Sequence, residues 1–197
     1  MLKNTVTYQL VDSPMLNQIF EEKWLKITQE NGFAYVSKPF EELKASHVTR
    51  FLIKDHAGLF VGTLEFVKFN LGYSILNHYH DFTSHQEFME NKELTYELGK
   101  IGIDQEHRGR HLPKILELMS DFARAYEVKY YLGAMEGKLY RLLCKFGLSL
   151  EQLADEIINE KHSAVPMAFH MEKLQEDMKH NKFLQRLERK EKEMTHS

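Results

Sequence analysis

The stretch Ile101–Lys114, IGIDQEHRGRHLPK, restricts the fold more than any other part of the chain. A short apolar run stops at Asp104. Polar and basic residues with a single glycine follow, and an amphipathic pattern begins near His111. This reads as a strand, a tight basic turn and the first turn of a helix. Leu112, Ile115, Met119, Phe122 and Tyr126 share one face of that helix, and VKYYLGAM follows as a buried strand. Strand, helix and strand in this order make a parallel crossover, which commits this half of the chain to a sheet with a helix on its face.

The remaining elements fit around that unit. Thr5–Val11 reads as a first strand. Ser13 as N-cap and Pro14 at the first helical position start a helix that carries Leu16, Ile19, Phe20, Trp24 and Ile27. Residues 32–46 read as loop with a short helix at PFEELKAS. His47–Lys54 and Gly58–Phe69 form a hairpin joined at KDHAG. Residues 70–93 show no clean period and are long for a connection, a feature often tied to function. Leu94–Ile103 is the next strand, and Gly99 and Gly102 predict a bulge or a close backbone approach in it. Leu139–Phe146 reads as a helix stopped by Gly147, and SAVPMAFHM as a late strand. The fold class is therefore α/β (α+β) with a mixed sheet, antiparallel in its N-terminal strands and parallel at the β-α-β crossover. Residues 1–171 are expected to form one domain and 172–197 a charged helix or tail.

The chain's 197 residues suffice for a real core, and 43% hydrophobic with 28% charged residues argue against disorder. A net charge of −3 gives no footprint for nucleic acid. The single cysteine, Cys144, rules out an internal disulfide and a cysteine zinc site. No run approaches a membrane span, and the first residues lack a signal-peptide core, so a cytoplasmic location is expected.

Taken alone, the basic turn has two readings. Free backbone N–H groups at a helix start, with Arg108 and Arg110 beside them, suit a phosphate. Two arginines facing solvent in an ordinary connection fit the residues as well. The order of elements favours the first reading, because hairpin strands, then a strand, HRGRHLPKILELM, strand, helix and strand resemble the GNAT superfamily of acyltransferases. Its Arg/Gln-x-x-Gly-x-Gly/Ala motif lies over Arg108-Gly109-Arg110-His111-Leu112-Pro113, with His111 in place of the first motif glycine and Pro113 in place of the last position. YELGKIGI (Tyr96–Ile103), RGR and the later VPM are similar to the branch containing acyl-homoserine lactone synthases and N-acyl amino acid synthases. In that branch Glu97-Leu98-Gly99-Lys100 lies over Glu-x-Ser/Gly-Arg, with Lys for Arg.

The resemblance implies an N-acyltransferase that moves an acyl group from a pantetheine thioester, acyl-CoA or acyl carrier protein, to a small-molecule amine. An acetyl-CoA-dependent N-acetyltransferase and a non-catalytic GNAT-shaped sensor are the alternatives. Ile103, Arg108, Gly109, Arg110, His111, Leu112 and Lys114 would hold the donor. Acyl carrier protein would be a partner in one form of the reaction, a homodimer is compatible with the chain, and no nucleic acid or metal is expected. Glu97, six residues before the strand end, would lie deep in a cleft as base or amine anchor; the plainer reading pairs it with Lys100. Ordinary acetyltransferases of this superfamily carry a tyrosine in the helix after the fifth strand that protonates the departing thiolate. Leu143 stands at that position here, and Tyr140, nearly one turn earlier, is the candidate replacement.

Other residues read more plainly. Cys144 sits among leucines and is expected to be a buried, inert thiol. His78, His80 and His85, with Asp81, offer metal-type ligands, but no strand aligns them, so a surface loop or an acceptor-facing lid is expected. Tyr130 and Tyr131 alternate in a strand, one toward the core and one toward the site. Tyr73, Tyr79 and Phe82 would wall a pocket or join the core.

Overall fold

A computed structural model describes residues 7–31, 47–69, 74–108, 111–158, 163–182 and 185–186. The helix expected at PFEELKAS lies outside these residues. The chain divides into two compact units: residues 1–67, 99–119 and 186–197, and residues 68–98 and 120–185.

The first unit begins with β1 (Thr7–Leu10), α1 (Pro14–Asn31), β2 (Val48–Lys54) and β3 (Phe60–Lys68). Ser13 starts α1 as expected, its hydroxyl accepting the Leu16 N–H at 3.3 Å. β2 and β3 pair antiparallel, with Arg50 opposite Glu65, and β1 pairs antiparallel with β2. At the hairpin turn, Asp55 Oδ1 accepts the N–H groups of Ala57 and Leu59, and Gly58 takes φ +81°. Val11, Leu16, Phe20 and Leu52 form a buried cluster against which Ile19, Trp24 and Phe60 pack.

The next strand, β4 (Thr95–Ile103), contributes its C-terminal half to this unit. Both glycines in it mark close approaches, and a Cβ on Gly99 would come within 3.2 Å of Glu65 Oε1. A Cβ on Gly102 would come within 2.7 Å of Ile27 Cγ2 and 3.1 Å of the Trp24 ring, so glycine is what lets α1 lie on the strand backbone. Lys100 takes φ +50°, a local break in the extended chain.

In the second unit the N-terminal half of β4 pairs in parallel with β5 (Tyr130–Glu136), from Thr95↔Tyr130 to Glu97↔Leu132. β5 pairs antiparallel along its length with β8 (Ser163–His170), which also pairs with β6 (Leu150–Gln152) and β7 (Ile157–Ile158). Sequence patterning missed β6 and β7, because runs of two or three residues carry no period. The described part of 70–93 folds as short helical turns and α2 (Gln86–Glu90). Phe69, Leu76, Phe82, Phe88, Leu132 and Ala168 form its buried core. Phe82 therefore packs in the core rather than walling a pocket, whereas Tyr79 is exposed.

The crossover helix α3 spans Leu112–Tyr126. It stops where Glu127 takes φ +54° and the Val128 N–H reaches the Ala123 carbonyl at 2.9 Å. α4 (Gly137–Lys145) starts two residues earlier than the pattern suggested, because the Glu136 carboxylate caps the Leu139 N–H at 2.9 Å. It ends as expected at Gly147, φ +82°, with Leu148 N–H bonded to the Leu143 carbonyl. The tail contributes α5 (Met171–His180), which buries Met171 and Leu174. Among the described residues no helix is long and apolar enough to cross a membrane.

Candidate functional site

The basic turn of the first unit is built from backbone outward. β4 ends at Ile103, and the Asp104 N–H bonds the Val61 carbonyl at 2.8 Å. The buried Asp104 carboxylate takes Lys23 Nζ at 2.7 Å and Lys26 Nζ at 3.5 Å. A short helical turn follows at Gln105–His107, and α3 opens at Leu112 with the Ile115 N–H on the His111 carbonyl at 3.1 Å. The backbone amides of Leu112 and Lys114 thus belong to the first helical turn, where no carbonyl four residues back lies within the helix. Pro113 has no N–H to offer, as the sequence implied. Gly109 and Arg110 lie outside the described residues.

Arg108 is exposed. Its Nε lies 3.5 Å from the Ile103 carbonyl and its guanidinium 3.6 Å from Glu30 Oε2. Glu30 also accepts the Gln105 N–H at 3.0 Å, so the C-terminal turn of α1 touches this loop at two points. Lys114 pairs with Glu117 at 2.6 Å and lies 5.8 Å from the centre of the Tyr8 ring. His111 is buried, its ring 6.2 Å from that of His107, which in turn is 3.9 Å from Asp55.

A buried charge network lies in the same unit, and sequence reasoning missed it. Arg50 reaches Glu65 at 2.6 Å, Glu21 at 2.5 Å and Asn17 at 2.6 Å, with its guanidinium 4.6 Å from the centre of the Phe20 ring. Lys100 reaches Glu65 at 3.2 Å and Glu21 at 3.8 Å. Two cations and two carboxylates balance, which makes burial tolerable. Burial pushes the Lys100 ammonium below its usual range, and Glu65 opposes that shift. The structure thus gives Lys100 the carboxylates of Glu65 and Glu21. The available signal was a charge inside each of two pairing strands, Arg50 in VTRFLIK and Glu65 in FVGTLEFVK, whose other charges, Lys54 and Lys68, stand at the strand ends.

In the second unit, Glu97 is buried in β4 opposite Leu132. Tyr140 lies half-buried on α4, with its hydroxyl 3.4 Å from the Leu150 carbonyl. Burial, then a hydrogen bond with Cys144, pushes its phenol upward, which keeps it protonated. Cys144 is only half-buried, unlike the expectation, because α4 turns it toward Tyr140 rather than into the core. Leu143 is buried. Tyr131 is fully buried, and burial raises its phenol strongly; Tyr130 is half-buried against Phe88 and His170. His78 and His80 do not form a strand: His78 ends a helical turn, and His80 Nε2 meets His85 Nε2 at 2.7 Å.

No family model matches the chain, and no curated protein matches it in sequence. Solved structures do match. FeeM, an N-acyl amino acid synthase from uncultured soil microbes, aligns with a TM-score of 0.69 at 11% identity, over 87% of this chain and 93% of that one. MesI, a CoA-dependent acyl-homoserine lactone synthase, aligns at 0.61 and 11% identity, over 88% and 94%. The Vibrio cholerae spermidine N-acetyltransferase in complex with CoA and spermine aligns at 0.56 and 14% identity, over 87% and 98%. Together with the parallel β4–β5 pair and the crossover through α3, these likenesses show that the chain has the GNAT fold.

Proposed function

We propose that the chain is an N-acyltransferase that moves an acyl group from a pantetheine thioester, on CoA or acyl carrier protein, to a small-molecule amine. The observation that supports this reading is the β4–α3 junction: a strand end, an exposed arginine and the first turn of a helix, in the stretch that resembles the superfamily's donor motif in sequence. Arg108 and Arg110 would bind phosphate by charge-assisted hydrogen bonds. The amides of Gly109, His111, Leu112 and Lys114 would supply further donors, and Ile103 would border the donor. The structures aligned above include one named for CoA dependence and one bound to CoA, which supports this use of the fold.

The reaction needs no protein nucleophile. The amine nitrogen attacks the thioester carbonyl, and a tetrahedral intermediate forms. Glu97 takes the amine proton, directly or through water. The carbon–sulfur bond then breaks, and Tyr140, whose raised phenol holds its proton at neutral pH, protonates the thiolate. Leu143 in place of a tyrosine makes its surroundings more apolar, which favours a hydrocarbon chain over acetyl.

The experiment is thiol release followed with acetyl-CoA, dodecanoyl-CoA and a long-chain acyl carrier protein, each against a mixture of amines. Amine-dependent release supports the proposal. Donor binding without release in any combination would favour a ligand sensor instead.

A further inference from the structure

We propose that Glu87, Glu151 and His170 form a binding site for a divalent transition-metal ion of zinc's type. All three belong to the second unit, on α2, β6 and the end of β8, and none takes part in the acyl-transfer roles above. Their candidate ligand atoms all lie within 4.8 Å of one another. His170 Nε2 is already in contact with Glu151 Oε2.

The donor set selects the ion. One imidazole nitrogen with two carboxylates suits zinc, whereas calcium and magnesium prefer oxygen alone. Bonds of about 2.0–2.2 Å in a tetrahedron put ligand atoms roughly 3.4 Å apart. The His170–Glu151 contact must therefore open, and a ligand pair at the 4.8 Å limit must close by about 1.4 Å. Rotation of two glutamate side chains supplies both movements, and the hydrogen shared by His170 and Glu151 leaves to solvent. Three protein ligands leave the fourth position to water.

The frame around the ligands is ordered. Phe88, next to Glu87, is fully buried and anchors α2. The Tyr130 ring stands edge-on to His170 at 5.2 Å and 83°. The backbone after His170 is fixed by the Met171 N–H on the Lys129 carbonyl at 2.9 Å. A groove of about 350 Å³, lined in part by Tyr130, His170 and Glu172, gives solvent access to the imidazole. A bound ion would tie α2 to β6 and β8.

The test uses the full chain, stripped with a chelator, exchanged into clean buffer and titrated with zinc chloride by calorimetry. One ion per chain is expected, with a dissociation constant in the micromolar range or tighter. A hundredfold excess over that constant should raise the melting temperature by roughly 5–10 °C. His170→Ala should weaken binding more than about 100-fold and Glu87→Gln at least about 10-fold. His80→Ala should leave binding unchanged. No saturable binding by the unaltered chain overturns the site, as does His170→Ala binding like the parent. Loss of binding in His80→Ala would equally overturn it by moving the ligands to another loop. Should His170→Ala fail to fold, Glu87→Gln and Glu151→Gln decide: both must weaken binding.

Discussion

Arg108 reaches solvent from the end of a short turn, and its guanidinium lies 3.6 Å from Glu30 Oε2. A phosphate at this turn would compete with that carboxylate for the guanidinium. Arg108→Ala should weaken donor binding by about 1.5–3 kcal/mol while the protein stays folded. Calorimetry with CoA reads this directly, and unchanged affinity would remove the arginine from the site. Glu97→Gln keeps the shape of the side chain and removes the base. Turnover should fall by about 10²–10⁴-fold with donor affinity preserved; turnover at the parent rate would exclude Glu97. The sequence singles out these two residues because each sits at a fixed offset within one continuous strand–turn–helix. The partners around them were not. Glu30 and Lys23 meet the turn from a helix far away in the chain, and nothing in local spacing encodes that approach.

At the scale of elements, the β2–β3 hairpin holds its charge network where an apolar pair would normally sit. Arg50→Ala leaves the buried Glu65 and half-buried Glu21 carboxylates facing one cation, and should cost about 3–5 kcal/mol. Replacing Arg50 by Met together with Glu65 by Leu removes one charge of each sign and should recover more than half of that loss. Urea midpoints at unchanged slope measure both. A double variant no more stable than Arg50→Ala would contradict a balanced network. The helical turns before β4 make a different prediction. Burial and the neighbouring His85 push the His80 imidazole below its usual range, while Asp81 opposes them. The unfolded chain takes its proton first, near pH 6.5, so this contribution to stability is present above that pH. It declines as pH falls toward the folded value, below which both states are protonated. His80→Gln should flatten the fall of the urea midpoint between pH 7 and 5; an unaltered slope would assign it to other groups. Helix ends were readable from sequence because Ser13 and Gly147 act through their own backbone neighbours. The turns of residues 74–94 were not, since each is too short to show a helical period.

At the scale of the whole molecule, both halves of the GNAT pattern were visible in the order of elements, and the parallel β4–β5 pair follows from the crossover that Ile101–Lys114 opens. Edge strands β6 and β7 and the grouping of Glu87, Glu151 and His170 depend on how distant segments meet, so they needed coordinates. The choice of acyl donor also belongs to this scale. Leu143, which the sequence resemblance sets at the acetyltransferase tyrosine's position, is buried, and each methylene buried from water adds up to about 0.8 kcal/mol. The most direct measurement is kcat/KM for acetyl, hexanoyl and dodecanoyl thioesters with one accepted amine, the N-acyl product identified by mass. The account predicts an amide product and a rise in kcat/KM from acetyl to dodecanoyl. A maximum at acetyl would contradict the long-chain reading, and no amide from any donor would contradict acyl transfer itself.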